Sequence, residues 1–175
     1  MVDLDARPAP TPYTEGVARL NMFGMETINL FMFRLSKGKI GGSIWGAPVI
    51  LLTASGRRTG KRHTKPLLAL ADGDSWVLAA SRGGTSRHPD WFGNLRAFEL
   101  AMKAGDLATP EGPPLEVPEV TAEGGIVTPV RATVLKGAER ARWWKQLNEV
   151  YPKFASYQER IPDREIPLIR LTPAH

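Results

Sequence analysis

The chain has 175 residues, of which 42% are hydrophobic and 23% charged, a composition typical of one globular domain with an ordinary core. It contains no cysteine, which excludes disulfides, thiolate catalysis and cysteine-based metal sites. The net charge of +5 favours an acidic partner, whether nucleic acid, an anionic lipid surface or an anionic cofactor.

The first part of the chain predicts an arm followed by a helix. Residues 1–14 hold three prolines and little apolar content, so we expect a flexible arm, with a single domain over residues 15–175. Apolar residues at helical spacing over 17–37 predict a helix that faces the core. Met22 and Phe33 project from its other side, and the alternative is that they meet a second subunit or a membrane surface.

The middle and end of the chain predict strands joined by short helices. The predicted strands are about 47–54, 62–71, 74–81, 98–104, 126–135 and 166–171. The predicted helices are 88–96 and 138–150. We expect residues 105–125, which are rich in Gly, Pro and Glu, to form a long connection or an irregular edge hairpin.

The order of these elements predicts the fold class. Most strands are sequential neighbours, and Asp72-Gly73 between two of them is a two-residue hairpin signal. The sequence therefore predicts a mainly antiparallel β-barrel with helices packed outside, an α+β arrangement.

A glycine-bracketed basic turn, Gly56–Lys65, separates the first two long strands. Its cations are Arg57, Arg58, Lys61, Arg62 and Lys65. Glycine lets backbone N–H groups approach a bound group, and arginine offers a fork for phosphate or carboxylate. The pattern fits either a solvated hairpin tip or a cradle for an anionic ligand.

Two further segments favour anions. Ala79–Gly84 ends a strand with a hydroxyl, a cation and two glycines, where a flat ring or a phosphate can lie against the backbone. His88–Asn94 places a helix N-terminus just after it, and helix N-termini favour anions. Three separate segments of this kind favour the cradle over the solvated tip.

Three aromatic residues, Tyr151, Phe154 and Tyr157, have i, i+3, i+6 spacing and would share a helical face. One interpretation is ordinary core packing. The alternative is a lid over a planar ligand, with the tyrosine hydroxyls as polar groups.

The sequence offers no independent catalytic centre. His63 lies in a basic run and His88 precedes a proline, so neither is a strong candidate for a general base. No metal-ligand spacing, nucleophile elbow, Walker loop or dinucleotide glycine motif is present. If the protein is an enzyme, we expect a bound cofactor to carry the chemistry.

At these residues the chain resembles the deazaflavin (coenzyme F420)-dependent nitroreductase family over about residues 20–173. The order and spacing of several blocks carry the resemblance, and no single block would suffice. These blocks are Arg34–Gly38, Pro48–Thr53, Gly56–Gly60, Ala80–Gly84, His88–Arg96, Tyr151–Phe154, Tyr157-Gln158 and Asp163–Pro167.

The resemblance implies a split β-barrel and a reductase that transfers a hydride from reduced F420 to a quinone, an enone or a nitroaromatic. It also implies a cofactor with a phosphate and an oligoglutamate tail, which suits the basic turn. The cofactor-binding residues implied by position are Arg57, Arg58, Thr59, Gly60, Lys61, His63, Ala79, Ala80, Ser81, Arg82, Asp90, Trp91, Phe92, Asn94 and Phe154. The acceptor-contacting residues are expected to be Ser81, Tyr151 and Tyr157.

The chain departs from the family pattern at three positions. Nitroimidazole-activating members carry tyrosines aligned with Leu68 and Phe154, and neither residue here has a hydroxyl. The loss of a hydrogen-bond donor typically costs about 1–3 kcal/mol, so we expect a quinone or another apolar acceptor. His63 stands where the family often has arginine, which makes binding of the tail weaker or dependent on pH.

Other functions remain compatible with the sequence. They are an FMN-binding barrel oxidoreductase, a non-catalytic F420-binding protein and, less favoured, a basic barrel that binds nucleic acid. We expect a small-molecule acceptor and no nucleic acid as partners, with a homodimer and peripheral membrane contact as further hypotheses. The usage of arginine, alanine, glycine and proline is typical of GC-rich bacteria, so we expect a bacterial protein. The first five residues lack the features of a secretory signal. We therefore expect the protein in the cytoplasm, or at the inner face of the membrane.

Overall fold

The fold is known from a computed structural model, which describes residues 43–44, 47–122 and 124–174. The predicted arm over residues 1–14 and the predicted helix over 17–37 lie outside the described residues. None of the helices in the described ranges is long and apolar enough to cross a membrane.

The described residues contain seven antiparallel strands, and six of them close into a barrel. The strands are β1 (Ser43–Ile44), β2 (Ala47–Ser55), β3 (Arg62–Asp72), β4 (Ser75–Ala79), β5 (Glu119–Thr121), β6 (Val127–Val134) and β7 (Leu168–Pro173). They follow the order β1-β2-β3-β4-β7-β6-β5, and β5 pairs again with β2, so β2 to β7 form a closed cycle. The predicted barrel is therefore confirmed.

On one side of the barrel, the strands are buried on their inner and on their outer face. Leu78 and Ile169 point into the barrel core, whereas their neighbours Val77 and Leu168 belong to a second core on the outside. Helix α2 (Gly137–Val150) and the shorter α3 (Lys153–Glu159) cover this second core. The helices thus lie outside the barrel, as predicted.

Helix α1 (Asp90–Ala104) follows β4 and is longer than the sequence indicated. The strand expected near 98–104 is wrong, because Phe92, Leu95 and Phe98 are buried at helical spacing and extend the helix through this segment. The helix ends only at Gly105, which has a φ of 73°.

The segment after α1 is irregular up to β5, so the predicted long connection is confirmed for residues 105–118. The edge hairpin considered for residues 105–125 is wrong. β5 is an internal strand, paired with β2 on one side and β6 on the other, and it closes the barrel.

Candidate functional site

A cleft of about 330 Å³ lies where β2 turns into β3, beside the first turn of α1. Its lining residues are Ala54, Gly56, Arg57, Arg58, Thr59, His63, Lys65, Asp90, Trp91 and Asn94. The lining brings two guanidinium groups, an ammonium group and an imidazole around one carboxylate, with an indole ring as the large flat surface. This donor set suits an anionic ligand with a planar portion.

The turn that forms the cleft is closed by its own backbone. The Gly56 N–H donates to the Lys61 carbonyl and the Gly60 N–H donates to the Gly56 carbonyl, each at 2.8 Å. Gly60 has a φ of 67°, which glycine adopts without strain. At Gly56 a Cβ atom would lie 3.2 Å from Thr59 Oγ1, so a larger residue would crowd the turn.

Arg57 is anchored on α1. Asn94 Oδ1 accepts hydrogen bonds from the Arg57 backbone N–H at 3.2 Å and from Arg57 Nη1 at 3.1 Å. A Cβ atom at Gly93 would lie 2.9 Å from Arg57 Nη1, so glycine leaves room for the guanidinium group. Gly93 and Asn94 together therefore fix the basic turn to the helix, and the Asp90 carboxylate lies 3.8 Å from Arg57 Nη2.

The basic residues of the turn do not all converge. His63 and Lys65 share one face of β3 and line the cleft, as period-two alternation requires. Arg62 lies on the opposite face and forms ion pairs with Glu116 and Glu119. The expected cradle of five cations is therefore wrong for Arg62. Lys61 is exposed and does not line the cleft.

A second group of predicted residues surrounds the turn that follows β4. Ala79, Ala80, Ser81 and Arg82 lie here, not in the cleft. Arg82 has a φ of 49°, an uncommon conformation for a residue with a side chain. A Cβ atom at Gly84 would lie 2.9 Å from Cα of Tyr157, so glycine lets this turn pack directly on α3.

Arg164 holds this turn in place. Its Nη2 atom donates to the carbonyls of Ser81 at 3.0 Å and Thr85 at 2.8 Å, and its Nη1 atom lies 3.4 Å from the Ala80 carbonyl. Nη1 also lies 2.8 Å from His88 Nδ1. The sequence did not single out Arg164 as a site residue, since its contacts join positions about eighty apart in the chain.

Burial and the positive charges of Arg164 and Arg96 lower the pKa of His88. Because a guanidinium group only donates, His88 Nδ1 must accept, and the imidazole is therefore neutral with its proton on Nε2. His88 thus acts as part of the support for the turn after β4, consistent with its rejection as a general base.

The aromatic trio forms one cluster. The ring of Phe154 lies 5.0 Å from that of Tyr151 and 6.3 Å from that of Tyr157, and the two tyrosine hydroxyls are 3.2 Å apart. Burial, and then the hydrogen bond with Tyr157, raise the pKa of Tyr151, so its hydroxyl stays protonated at neutral pH.

Two predicted cofactor residues, Phe92 and Phe154, are core residues with 5% exposure each. Phe92 packs in the barrel core, with its ring 5.2 Å from the His88 ring, and Phe154 belongs to the core under α2 and α3. Neither lines the cleft. Phe154 is therefore packed in the core, which is the first of the two interpretations given for the aromatic trio.

The first turn of α1 joins the two groups of residues. Asp90 and Asn94 face the basic turn, while His88, just before the helix, contacts Arg164 and the turn after β4. Within the described ranges, no three His, Asp or Glu side chains lie close enough to hold a metal ion. The arrangement can bind an anion and a ring.

Comparisons with known proteins agree on one family. The family model for F420H(2)-dependent quinone reductases matches residues 27–100 and 117–173. An F420H(2)-dependent quinone reductase of Mycobacterium tuberculosis is 31% identical over 154 residues, covering 85% of this chain and 91% of that protein.

Two solved structures are also similar. One is described as an F420-H2 dependent reductase, with a TM-score of 0.55 and 30% identity over 71% of this chain and 93% of the other. A second, described as a domain-swapped dimer, has a TM-score of 0.57 and 26% identity over 92% of this chain and 99% of the other.

Proposed function

Because this chain belongs to the F420H(2)-dependent quinone reductase family, we propose that its cleft holds the anionic part of coenzyme F420 and that the turn after β4 faces the acceptor. The family resemblance of the sequence is confirmed, and with it the enzyme class and the F420 cofactor. F420, when bound in its reduced form, supplies the hydride that reduces the acceptor.

The residues of the cleft fit the phosphate and the glutamate tail. Arg57, Arg58, His63 and Lys65 surround a space with a single carboxylate, Asp90, and anionic groups gain charge-assisted hydrogen bonds there. The observation that carries this assignment is the anchoring of Arg57 by Asn94, which fixes one guanidinium group before the ligand arrives.

The acceptor side is proposed to be formed by Ser81, Tyr151 and Tyr157. Tyr157 packs on the glycine turn that follows Ser81, and its hydroxyl pairs with that of Tyr151. A hydroxyl of this pair can donate a hydrogen bond to a carbonyl oxygen of a quinone, on which negative charge develops during reduction. The lack of a tyrosine hydroxyl at Leu68 and Phe154 supports a quinone over a nitroimidazole.

The decisive experiment is a fluorescence titration with F420 of the wild type and of the variant Arg57→Glu/Arg58→Glu. We expect the variant to stay folded and to lose F420 binding. The control variant Arg142→Glu/Lys145→Glu changes the net charge equally on α2, away from the cleft, and should bind like the wild type. Equal affinity in all three proteins would refute the assignment of the cleft.

We also propose a homodimer and a cytoplasmic location with peripheral membrane contact. Support for the dimer comes from the similar structure that is described as a domain-swapped dimer. Light scattering coupled to gel filtration tests the dimer, and flotation with anionic vesicles tests the membrane contact. A monomer in gel filtration would contradict the homodimer. A protein that does not float with the vesicles would contradict the membrane contact.

A further inference from the structure

Residues 106–118, which we name the strap, run from the end of α1 to β5 and contact the basic turn at Thr59 and Gly60. The strap is ordered by its own hydrogen bonds, from Leu115 N–H to the Leu107 carbonyl at 2.7 Å and from the Thr109 hydroxyl to the Gly112 carbonyl at 2.7 Å. Leu115 is 5% exposed, so the strap has an apolar anchor.

The backbone of the strap lies directly against the basic turn. A Cβ atom at Gly112 would lie 2.0 Å from the Thr59 carbonyl oxygen, and one at Gly60 would lie 2.2 Å from the Pro113 carbonyl oxygen. Only glycine at both positions permits this approach. Because the neighbours are backbone atoms, they cannot rotate away as a side chain would.

Two polar contacts fasten the strap beside the turn. The Glu116 N–H donates to the buried Ser55 hydroxyl at 3.1 Å, at the last residue of β2. The Glu116 carboxylate pairs with Arg62, the first residue of β3. The strap is thus fixed to both strands at the point where each meets the turn.

The strap lies largely outside what the family model describes, since residues 101–116 fall between the two matched stretches. We propose that the strap is a positioning element that sets the shape of the basic turn and thereby the affinity for the anionic part of F420. This inference rests on the proposed function of the cleft. It predicts that a shift of the strap weakens the binding of the phosphate and the tail, and not the binding of the ring of the cofactor.

The test compares two ligands, F420 and its deazaflavin chromophore without phosphate and glutamates, in the variant Gly112→Ala. The new methyl group must displace the Thr59 carbonyl. Because a displaced turn would weaken the charge-assisted hydrogen bonds to the phosphate and glutamates, we expect F420 to bind about tenfold or more weakly. Affinity for the chromophore should change less than about twofold, and KM for reduced F420 should rise at nearly constant kcat.

The matched control is Gly105→Ala, the same substitution at the start of the connection. Gly105 has a φ of 73° and no neighbouring atom within 4 Å of an added Cβ, so this variant should lose stability without losing F420 affinity. Ser55→Ala removes the acceptor for the Glu116 N–H without adding bulk. If Gly112→Ala does not fold, Ser55→Ala replaces it in the same comparison of the two ligands.

The outcomes separate the two proposals. A wild type that binds F420 no better than the chromophore refutes the proposed function of the cleft. The strap inference alone is refuted if the wild type prefers F420 but the variants Gly112→Ala and Ser55→Ala do not change this preference. That is the case if their affinities are unchanged, or if they are lowered equally for F420 and for the chromophore.

Discussion

At the scale of single residues, Arg164 makes several contacts with the turn after β4. Its two Nη atoms reach three backbone carbonyls of residues 80–85 and the ring of His88, a set that only a planar fork can satisfy. Arg160 makes a single hydrogen bond to the same turn, to the Gly83 carbonyl at 3.0 Å.

We predict that Arg164→Met lowers the free energy of unfolding by about 1–3 kcal/mol, since three carbonyls, two of them in partly buried hydrogen bonds, lose their donor. Amide exchange of residues 81–88 should also become faster than in the wild type. Arg164→Lys should not restore either property, because an ammonium group cannot reach the same acceptors.

The control for this prediction is Arg160→Met, which removes an equal charge, only one hydrogen bond to the turn and a contact with the Tyr157 ring. It should leave the amide exchange of residues 81–88 near the wild-type rate. If Arg160→Met and Arg164→Met behave alike in thermal unfolding and in exchange, Arg164 has no special role in the turn.

The position of a residue can be predicted from the sequence where a local pattern decides it. Arg57, Arg58, Thr59 and His63 line the cleft because a turn between two strands presents its residues at one end of the barrel. Lys65, one of the five cations of the basic turn, lines the cleft because its i, i+2 spacing from His63 places both on one strand face. The burial of Phe92 and Phe154 depends on what packs against them, which no local pattern reveals.

At the scale of elements, a carboxylate joins α1 to the barrel. Glu99 on α1 accepts hydrogen bonds from Arg131 Nε at 3.0 Å and from the Ala132 N–H at 2.9 Å, both on β6. Burial alone would raise the pKa of Glu99, but the hydrogen bonds from Arg131 and Ala132 outweigh it and lower the pKa.

A lowered pKa in the folded state means that the unfolded state binds protons more readily. The stability contributed by Glu99 is therefore fully present above its unfolded value of 4.5 and is lost as the pH falls through its lower folded pKa. We predict that Glu99→Gln lowers the free energy of unfolding at pH 7 by about 1–3 kcal/mol.

Urea unfolding from pH 7 down to pH 3 measures this effect. The difference between wild type and Glu99→Gln should shrink as the pH falls below 4.5. The exposed carboxylate of Glu159 at the end of α3 offers a control, and Glu159→Gln should change the profile little. A difference between wild type and Glu99→Gln that stays constant with pH would contradict an ionised, hydrogen-bonded Glu99.

Element prediction from sequence succeeded for five of the six predicted strands and failed for the strand near 98–104, which is the end of a helix. Alternation and the hairpin at Asp72-Gly73 located β2, β3 and β4 closely, because these strands pair with neighbours in the chain. The apolar run near residues 98–104 resembles a strand, yet the helix continues because Phe98 is buried beneath it. The short β5 was not predicted, and it pairs with β6 and with β2, the latter some seventy residues earlier in the chain.

At the scale of the whole molecule, the cleft depends on elements that are far apart in sequence. The β2–β3 turn supplies the cations, α1 supplies Asn94, and the strap supports the turn from outside. Barrel closure through β2 and β5 holds these parts together, so the site exists only while the barrel is closed. Ligand binding and global unfolding should therefore be coupled.

We predict that F420 at about one hundred times its Kd adds about 2.7 kcal/mol to the free energy of unfolding, because it binds the folded state alone. For a chain of this size that corresponds to a rise in Tm of about 5–10 °C. Calorimetry with F420, and with FMN at the same concentration, measures the effect. Arg57→Glu/Arg58→Glu should show no rise with F420. A rise with FMN and none with F420 would instead support an FMN-binding barrel, since both ligands carry a phosphate but only F420 carries the glutamate tail that the cations of the cleft would bind.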